Sequence, residues 1–208
     1  MSCYENVYFL GEWKLNEEQG TLNIEKTGET YKCIWKINKG NTQHEYLGIG
    51  MLVGNQLLIS RFSNKVPGGG IGLYRPIGDL RSNSALWAST KNFNVLGSGI
   101  ALREYSSKKF EGSYKVKYFV KGTETSNFNL NIVKRENSDL YSLTWAIGDN
   151  VILHGIGLIN NRQMVLAWGG IAFEYEIVIL NISNENTLNG KCGLLNNNSI
   201  TEKIYTKY

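Results

Sequence analysis

The chain repeats itself. Tyr46–Phe62 reads YLGIGMLVGNQLLISRF, and His154–Gly169 reads HGIGLINNRQMVLAWG. Gly48-Ile49-Gly50 aligns with Gly155-Ile156-Gly157, and Gln56 with Gln163, without a gap. Four further blocks return in the same order. Phe9-Leu-Gly11-Glu-Trp13 matches Phe110-Glu-Gly112-Ser-Tyr114, and Thr21–Ile24 matches Phe128–Ile132. Tyr31–Trp35 matches Tyr141–Trp145, and Gly70–Tyr74 matches Gly170–Tyr175. A period of half the chain makes each copy domain-sized rather than one unit of a solenoid. The polar run Glu104–Lys109 reads as the linker, which divides the chain into repeats 1–104 and 105–208.

Within each repeat the apolar residues alternate with period two, as in strands with one buried face. Tyr31, Cys33, Trp35 and Ile37 share one face, and so do Tyr141, Leu143, Trp145 and Ile147. Turn residues punctuate the runs at Thr27-Gly28-Glu29, Gly54-Asn55, Gly78-Asp79 and Asn160-Asn161. Twenty-three Gly against two Pro fit many tight turns, and no segment carries the periodicity of an amphipathic helix. The runs of the first repeat lie near 8–15, 20–26, 30–38, 45–53, 56–62, 70–77, 84–89 and 98–104, which makes eight strands per copy. Eight antiparallel strands leave two exposed edges unless the sheet closes. The expected fold is therefore all-β, with two tandem eight-stranded antiparallel up-and-down β-barrels. A β-sandwich is the alternative.

Two features on these strands resemble the calycins, the group that includes lipocalins and avidins. Gly11-Glu-Trp13 stands on the first strand, and Arg103 follows the last strand of the first repeat. In the calycins such a tryptophan closes one barrel end and a basic residue packs over it. The second repeat carries weaker versions of both, with Gly112-Ser-Tyr114 at its start and Lys203 or Lys207 near its end. The resemblance implies a calycin-like barrel in each repeat, with Arg103 over Trp13, and does not name a ligand.

Composition narrows the function classes. Net charge is +4 and charged residues make up 19%, which argues against a disordered or nucleic-acid-coating chain. Lys115 and Lys117 alternate with Tyr114, Val116 and Tyr118, so they read as the solvated face of a strand. The opening Met-Ser-Cys-Tyr-Glu-Asn has neither a basic nor an apolar region of a signal peptide, and no run reaches membrane-helix length. Three cysteines without clustered spacing suggest neither a disulfide framework nor a zinc site. A reducing, cytoplasmic setting is the expectation, with no nucleic-acid partner, no membrane partner, no cofactor and no metal. Self-association is left open.

Catalytic signatures are missing. His44 and His154 stand without a Ser, Cys or carboxylate arrangement. Cys33 shares a buried face with Trp35 and reads as a small apolar residue. Gly68–Gly72 lacks the strand–loop–helix context of a phosphate loop. Glu174 and Glu176 are two apart on one strand and are expected to face solvent. What remains is aromatic: five Trp and twelve Tyr, several at matched inward positions. Such rings can hold a flat ligand while offering a polar group. The candidate contacts are Tyr31, Trp35, Arg61, Tyr74 and Trp87 in the first repeat, and Tyr141, Trp145, His154, Trp168 and Tyr175 in the second. Trp168 occupies the place of Arg61, so the two mouths should differ in charge. The sequence thus points to a non-catalytic binding protein that holds a small organic ligand, with an anionic one suggested by Arg61. The alternatives are an isomerase or cyclase that works by pocket shape, and a carbohydrate- or protein-binding module with filled barrels.

Overall fold

The computed structural model describes residues 8–63, 68–77, 82–103, 110–170, 174–194 and 198–208. The run Glu104–Lys109, Cys3, the Gly78-Asp79 turn and Phe173 lie outside the described residues.

Among the described residues there are sixteen strands: β1 (Gly11–Leu15), β2 (Gly20–Thr27), β3 (Thr30–Lys39), β4 (Thr42–Val53), β5 (Gln56–Ser63), β6 (Gly70–Ile77), β7 (Ser82–Ser89) and β8 (Asn92–Leu102), then β9 (Gly112–Val120), β10 (Thr123–Lys134), β11 (Leu140–Ile147), β12 (Asn150–Asn160), β13 (Gln163–Gly169), β14 (Tyr175–Asn184), β15 (Thr187–Leu194) and β16 (Ile200–Lys207). They close into two eight-stranded antiparallel barrels, so the sandwich alternative is excluded. Strand β8 begins well before the expected residue 98. Its first half, Asn92-Phe-Asn-Val-Leu, sets exposed Asn92 and Asn94 against half-buried Phe93 and Val95, an alternation too short to register as a strand by itself.

The barrels do not follow the repeat boundary. Barrel one takes β1 to β5 from the first repeat and β14 to β16 from the second. Barrel two takes β6 to β13, an uninterrupted stretch of chain. The division into barrels 1–104 and 105–208 is therefore replaced by a reciprocal strand exchange. Its basis is the duplication itself. Strands β6 and β14 occupy the same place in their repeats, so either can complete the ladder beside β5 or β13. The observed pairs are β5–β14 and β13–β6, each antiparallel and in continuous register.

The exchange explains why several strands read as unbroken apolar runs. Leu57-Leu58-Ile59, Met164-Val165-Leu166-Ala167 and Ile177-Val178-Ile179-Leu180 are buried at every position. One side of each strand faces its own barrel. Leu57, Ile59, Val178 and Leu180 fill barrel one, and Met164 and Leu166 fill barrel two. The other side packs between the barrels, where Ile49, Leu58, Phe62, Ile71, Ile156, Val165, Ile177 and Ile179 form a shared core. Burial on both faces removes the polar half of the alternation.

One end of each barrel is closed, and here too the exchange is visible. Trp13 is fully buried, and its Nε1 donates to the Phe9 carbonyl at 2.9 Å. The cation above its ring is Lys207, with Nζ 5.5 Å from the centroid. Arg103 instead lies 5.3 Å over Tyr114, and its guanidinium donates to the Glu111 carbonyl at 2.8 Å. Each repeat's terminal cation thus covers the other repeat's first-strand aromatic, because β16 pairs with β1 and β8 with β9.

Candidate functional site

The two barrels share a plan but not an interior. At the end opposite Trp13, barrel one is plugged by side chains. Arg61 on β5 and Glu176 on β14 sit directly opposite each other and form an ion pair. The Arg61 guanidinium also stacks 5.6 Å from the Trp35 ring and 5.0 Å from the Tyr46 ring. Lys203 pairs with Glu18 at 3.0 Å beside them. Burial raises the Glu176 carboxyl above its ordinary value, with Arg61 pulling the other way. Glu174 is exposed, but the expectation that Glu176 faces solvent is corrected. Strand β14 is enclosed on both faces, and position 176 points into barrel one beside Val178.

Barrel two has Trp168 where barrel one has Arg61, and Gly70 where barrel one has Glu176. No ion pair forms there, and a cavity of about 460 Å³ remains. It opens between the β7–β8, β9–β10 and β11–β12 turns. Trp87, Tyr118, Phe128, Trp145 and Trp168 line its walls, and Tyr74, Ala85 and Leu166 lie deeper. Trp87 meets Tyr118 edge-on with centroids 6.1 Å apart, and Tyr118 tilts against Phe128 at 6.2 Å. The Trp145 indole N–H donates to the Tyr118 hydroxyl at 2.8 Å, and the Tyr118 and Tyr74 hydroxyls are hydrogen-bonded to each other. Burial pushes the Tyr118 phenol up to about 12 and Tyr74 well above its ordinary value. Both therefore stay protonated at neutral pH. Lys91, at the mouth, is exposed.

The repeated Gly-Ile-Gly now has a physical reason. A Cβ at Gly155 would stand 2.7 Å from the Trp145 ring, and one at Gly48 would stand 2.6 Å from the Trp35 ring. The first glycine of each motif clears a place for an indole from the neighbouring strand. Gly70 plays the same part for Trp168. A Cβ there would lie 2.1 Å from the Ala88 carbonyl oxygen and 2.4 Å from the indole. Because the first of these obstacles is backbone, Gly70→Ala is expected to cost about 1–3 kcal/mol by overpacking and to displace Trp168 from the cavity wall. Denaturant unfolding and the Trp fluorescence maximum check this, and an unchanged midpoint with unchanged emission would refute it.

The predicted contacts fall in five places. Tyr74, Trp87, Trp145 and Trp168 meet around one cavity, although they come from both repeats. Tyr31, Trp35 and Arg61 belong to the filled interior of barrel one. Tyr141 packs into the core of barrel two and does not line the cavity. His154 is half-buried on the strand face of Ile156, away from the cavity. Tyr175 lies in the core between the barrels against Phe62, with centroids 6.5 Å apart. The matching of Tyr74 with Tyr175 is also corrected. By ladder register Tyr74 faces Met164 while Leu180 faces Leu57, so Leu180 is the counterpart of Tyr74. Tyr118, Phe128 and Ala85 were missed. Tyr118 did share an inward face with Tyr114 and Val116, and that was the available signal.

Cys33 and Cys192 are buried free thiols, and burial raises both, Cys192 to about 12. Neither has the character of a nucleophile. His44 is exposed, with Nε2 3.2 Å from the Thr42 hydroxyl. Among the described residues no cluster of His, Cys, Asp and Glu could hold a metal ion, and no helix is long and apolar enough to cross a membrane. Comparisons with protein-family models, with curated proteins and with solved structures found no match.

Proposed function

We propose that the protein binds one small organic molecule, flat and mostly apolar, in the open end of barrel two. The observation that carries this reading is the asymmetry between the barrels. The same end is filled by Arg61, Glu176, Trp35 and Tyr46 in barrel one, yet encloses about 460 Å³ bounded by aromatic rings in barrel two. That volume lies in the range of roughly 300–1,000 Å³ usual for small-molecule sites. Indole and phenol rings bind flat molecules by offset or edge contact. The anionic ligand suggested by Arg61 loses its basis, since that guanidinium is paired with Glu176.

The raised tyrosines favour holding over acid–base work. A phenol near 12 gives up its proton poorly at neutral pH. The calycin resemblance supports the same reading: one barrel end is closed by a cation over a first-strand aromatic, and the other is left open for ligand. The free buried cysteines suit a reducing compartment, so we assign the protein to the cytoplasm.

Native mass spectrometry of the full chain purified from its own host tests the proposal. One released organic molecule per chain is expected. The Ala85→Phe variant, which places a ring in the cavity, is expected to retain none. A clean apo mass, two molecules per chain, or retention in Ala85→Phe would refute the reading.

A further inference from the structure

The polar cluster inside the cavity has a hydrogen count that does not close. Tyr74, Tyr118 and Trp145 bring three hydrogens, two on hydroxyls and one on the indole nitrogen. Two hydrogen bonds join them: Trp145 to the Tyr118 oxygen, and one between the two hydroxyls. If Tyr74 donates to Tyr118, the Tyr118 hydrogen is left over. If Tyr118 donates to Tyr74, the Tyr74 hydrogen is left over. In both cases one O–H remains, and both rings line the cavity. Among the described residues no acceptor takes that hydrogen.

A buried donor left without an acceptor is unfavourable, so a ligand that reaches the cluster without an acceptor leaves that cost in place. A charged ligand group is disfavoured at the same spot. The cavity's one charged lining residue among those described is Lys91, which is exposed at the mouth, and an ion buried away from a counter-charge is costly.

Resting on the pocket reading above, we infer that the ligand of barrel two is a neutral, flat molecule whose buried end carries a carbonyl-type acceptor, received by the spare hydroxyl of the Tyr74–Tyr118–Trp145 cluster. The cluster then sets which molecule is chosen, and the ring-lined walls set its shape. The hydroxyl pair has a further consequence. Removing one hydroxyl leaves the other with its own hydrogen free, so donation survives in either single Phe variant. Loss of both hydroxyls frees the Trp145 indole N–H in turn, so only replacement of all three groups abolishes donation into the cavity.

Two matched naphthalenes test this on the full chain. One is 6-propionyl-2-(dimethylamino)naphthalene, a ketone whose emission moves to longer wavelength when its carbonyl accepts a hydrogen bond. The other is 6-propyl-2-(dimethylamino)naphthalene, which has the same rings and no carbonyl. Wild type is expected to bind the ketone about tenfold more tightly after correction for water–octanol partitioning, the size of one net hydrogen bond. Tyr74→Phe and Tyr118→Phe should each keep most of that preference, and the triple variant Tyr74→Phe/Tyr118→Phe/Trp145→Phe should lose it. The emission of the bound ketone in wild type reads the hydrogen bond directly, whether or not the triple variant folds. If both probes bind with equal affinity and the bound ketone emits as in an apolar solvent, the acceptor inference falls and the pocket reading stands. If the triple variant folds and keeps the preference, the inference falls as well. If neither probe binds, the pocket reading fails and the inference fails with it.

Discussion

Glu176→Leu is expected to lower the unfolding free energy by roughly 3–5 kcal/mol, the usual cost of removing one partner from a buried ion pair. The carboxylate is 2% exposed, and Arg61, its partner, is held between the Trp35 and Tyr46 rings. Leucine would leave the guanidinium without its counter-charge. Adding Arg61→Leu removes that charge, so the double variant should recover most of the loss, since well-packed apolar replacements of a buried pair are often neutral or stabilising. The pH dependence has a definite sign. The folded-state carboxyl is raised above its ordinary value by burial. Its contribution to stability is therefore fully present below the unfolded value and falls as pH rises through the folded one. The double variant should consequently gain more over wild type at pH 7 than at pH 4. Urea unfolding of the three proteins at the two pH values measures all of this. A single variant as stable as wild type at pH 7 would show that the pair does not hold barrel one closed.

A covalent staple across the strand exchange should stabilise the protein by about 2–4 kcal/mol. Lys14 on β1 and Thr206 on β16 are directly paired, although they stand at opposite ends of the sequence. Cysteines at both positions should oxidise to a disulfide, because directly opposed strand residues lie within the Cα separation a disulfide spans. The loop it closes takes in nearly the whole chain, where the unfolded state has most freedom to lose. The matched control is Lys14→Cys with Leu102→Cys, the pair that a barrel built from the first repeat alone would bring together. In the structure β8 pairs with β9 instead, and Leu102 faces Lys115. Non-reducing electrophoresis and urea unfolding with and without reductant distinguish the two. An intrachain disulfide in the Lys14/Leu102 protein, and none in the Lys14/Thr206 protein, would overturn the exchanged topology.

The duplication, the strand count and most strand limits were legible because period-two alternation and turn residues are local signals. The inward faces Tyr31-Cys33-Trp35-Ile37 and Tyr141-Leu143-Trp145 could be read for the same reason. Strand partnership could not. Repeats that close a ladder with their own β6-type strand or with its copy have the same alternation and the same turns. That single ambiguity misassigned the cation over Trp13 and the division at 104/105. The cavity was half legible. Trp87, Trp145, Trp168 and Tyr74 were named as aromatics at expected inward positions, but Trp35 and Tyr31 were named by the same rule and lie in a filled interior. What distinguishes them is the occupant of the facing strand, glutamate at 176 against glycine at 70, and that comparison requires the register. Tyr175 was misplaced for a related reason. An aromatic on a strand buried on both sides gives no sign of which side it takes.

The exchange also orders events on the ribosome. Barrel two is one unbroken stretch, and all its strands are available once Gly169 has left the exit tunnel. Barrel one has only β1 to β5 at that moment, and both margins of that open sheet wait for β14 and β16. Barrel two can thus mature while its companion is still incomplete, and the companion's interior seals only when β16 has been made. The nascent protein passes through a period in which β1 and β5 are unprotected edges, and the crowded company of other nascent chains is where that exposure matters most.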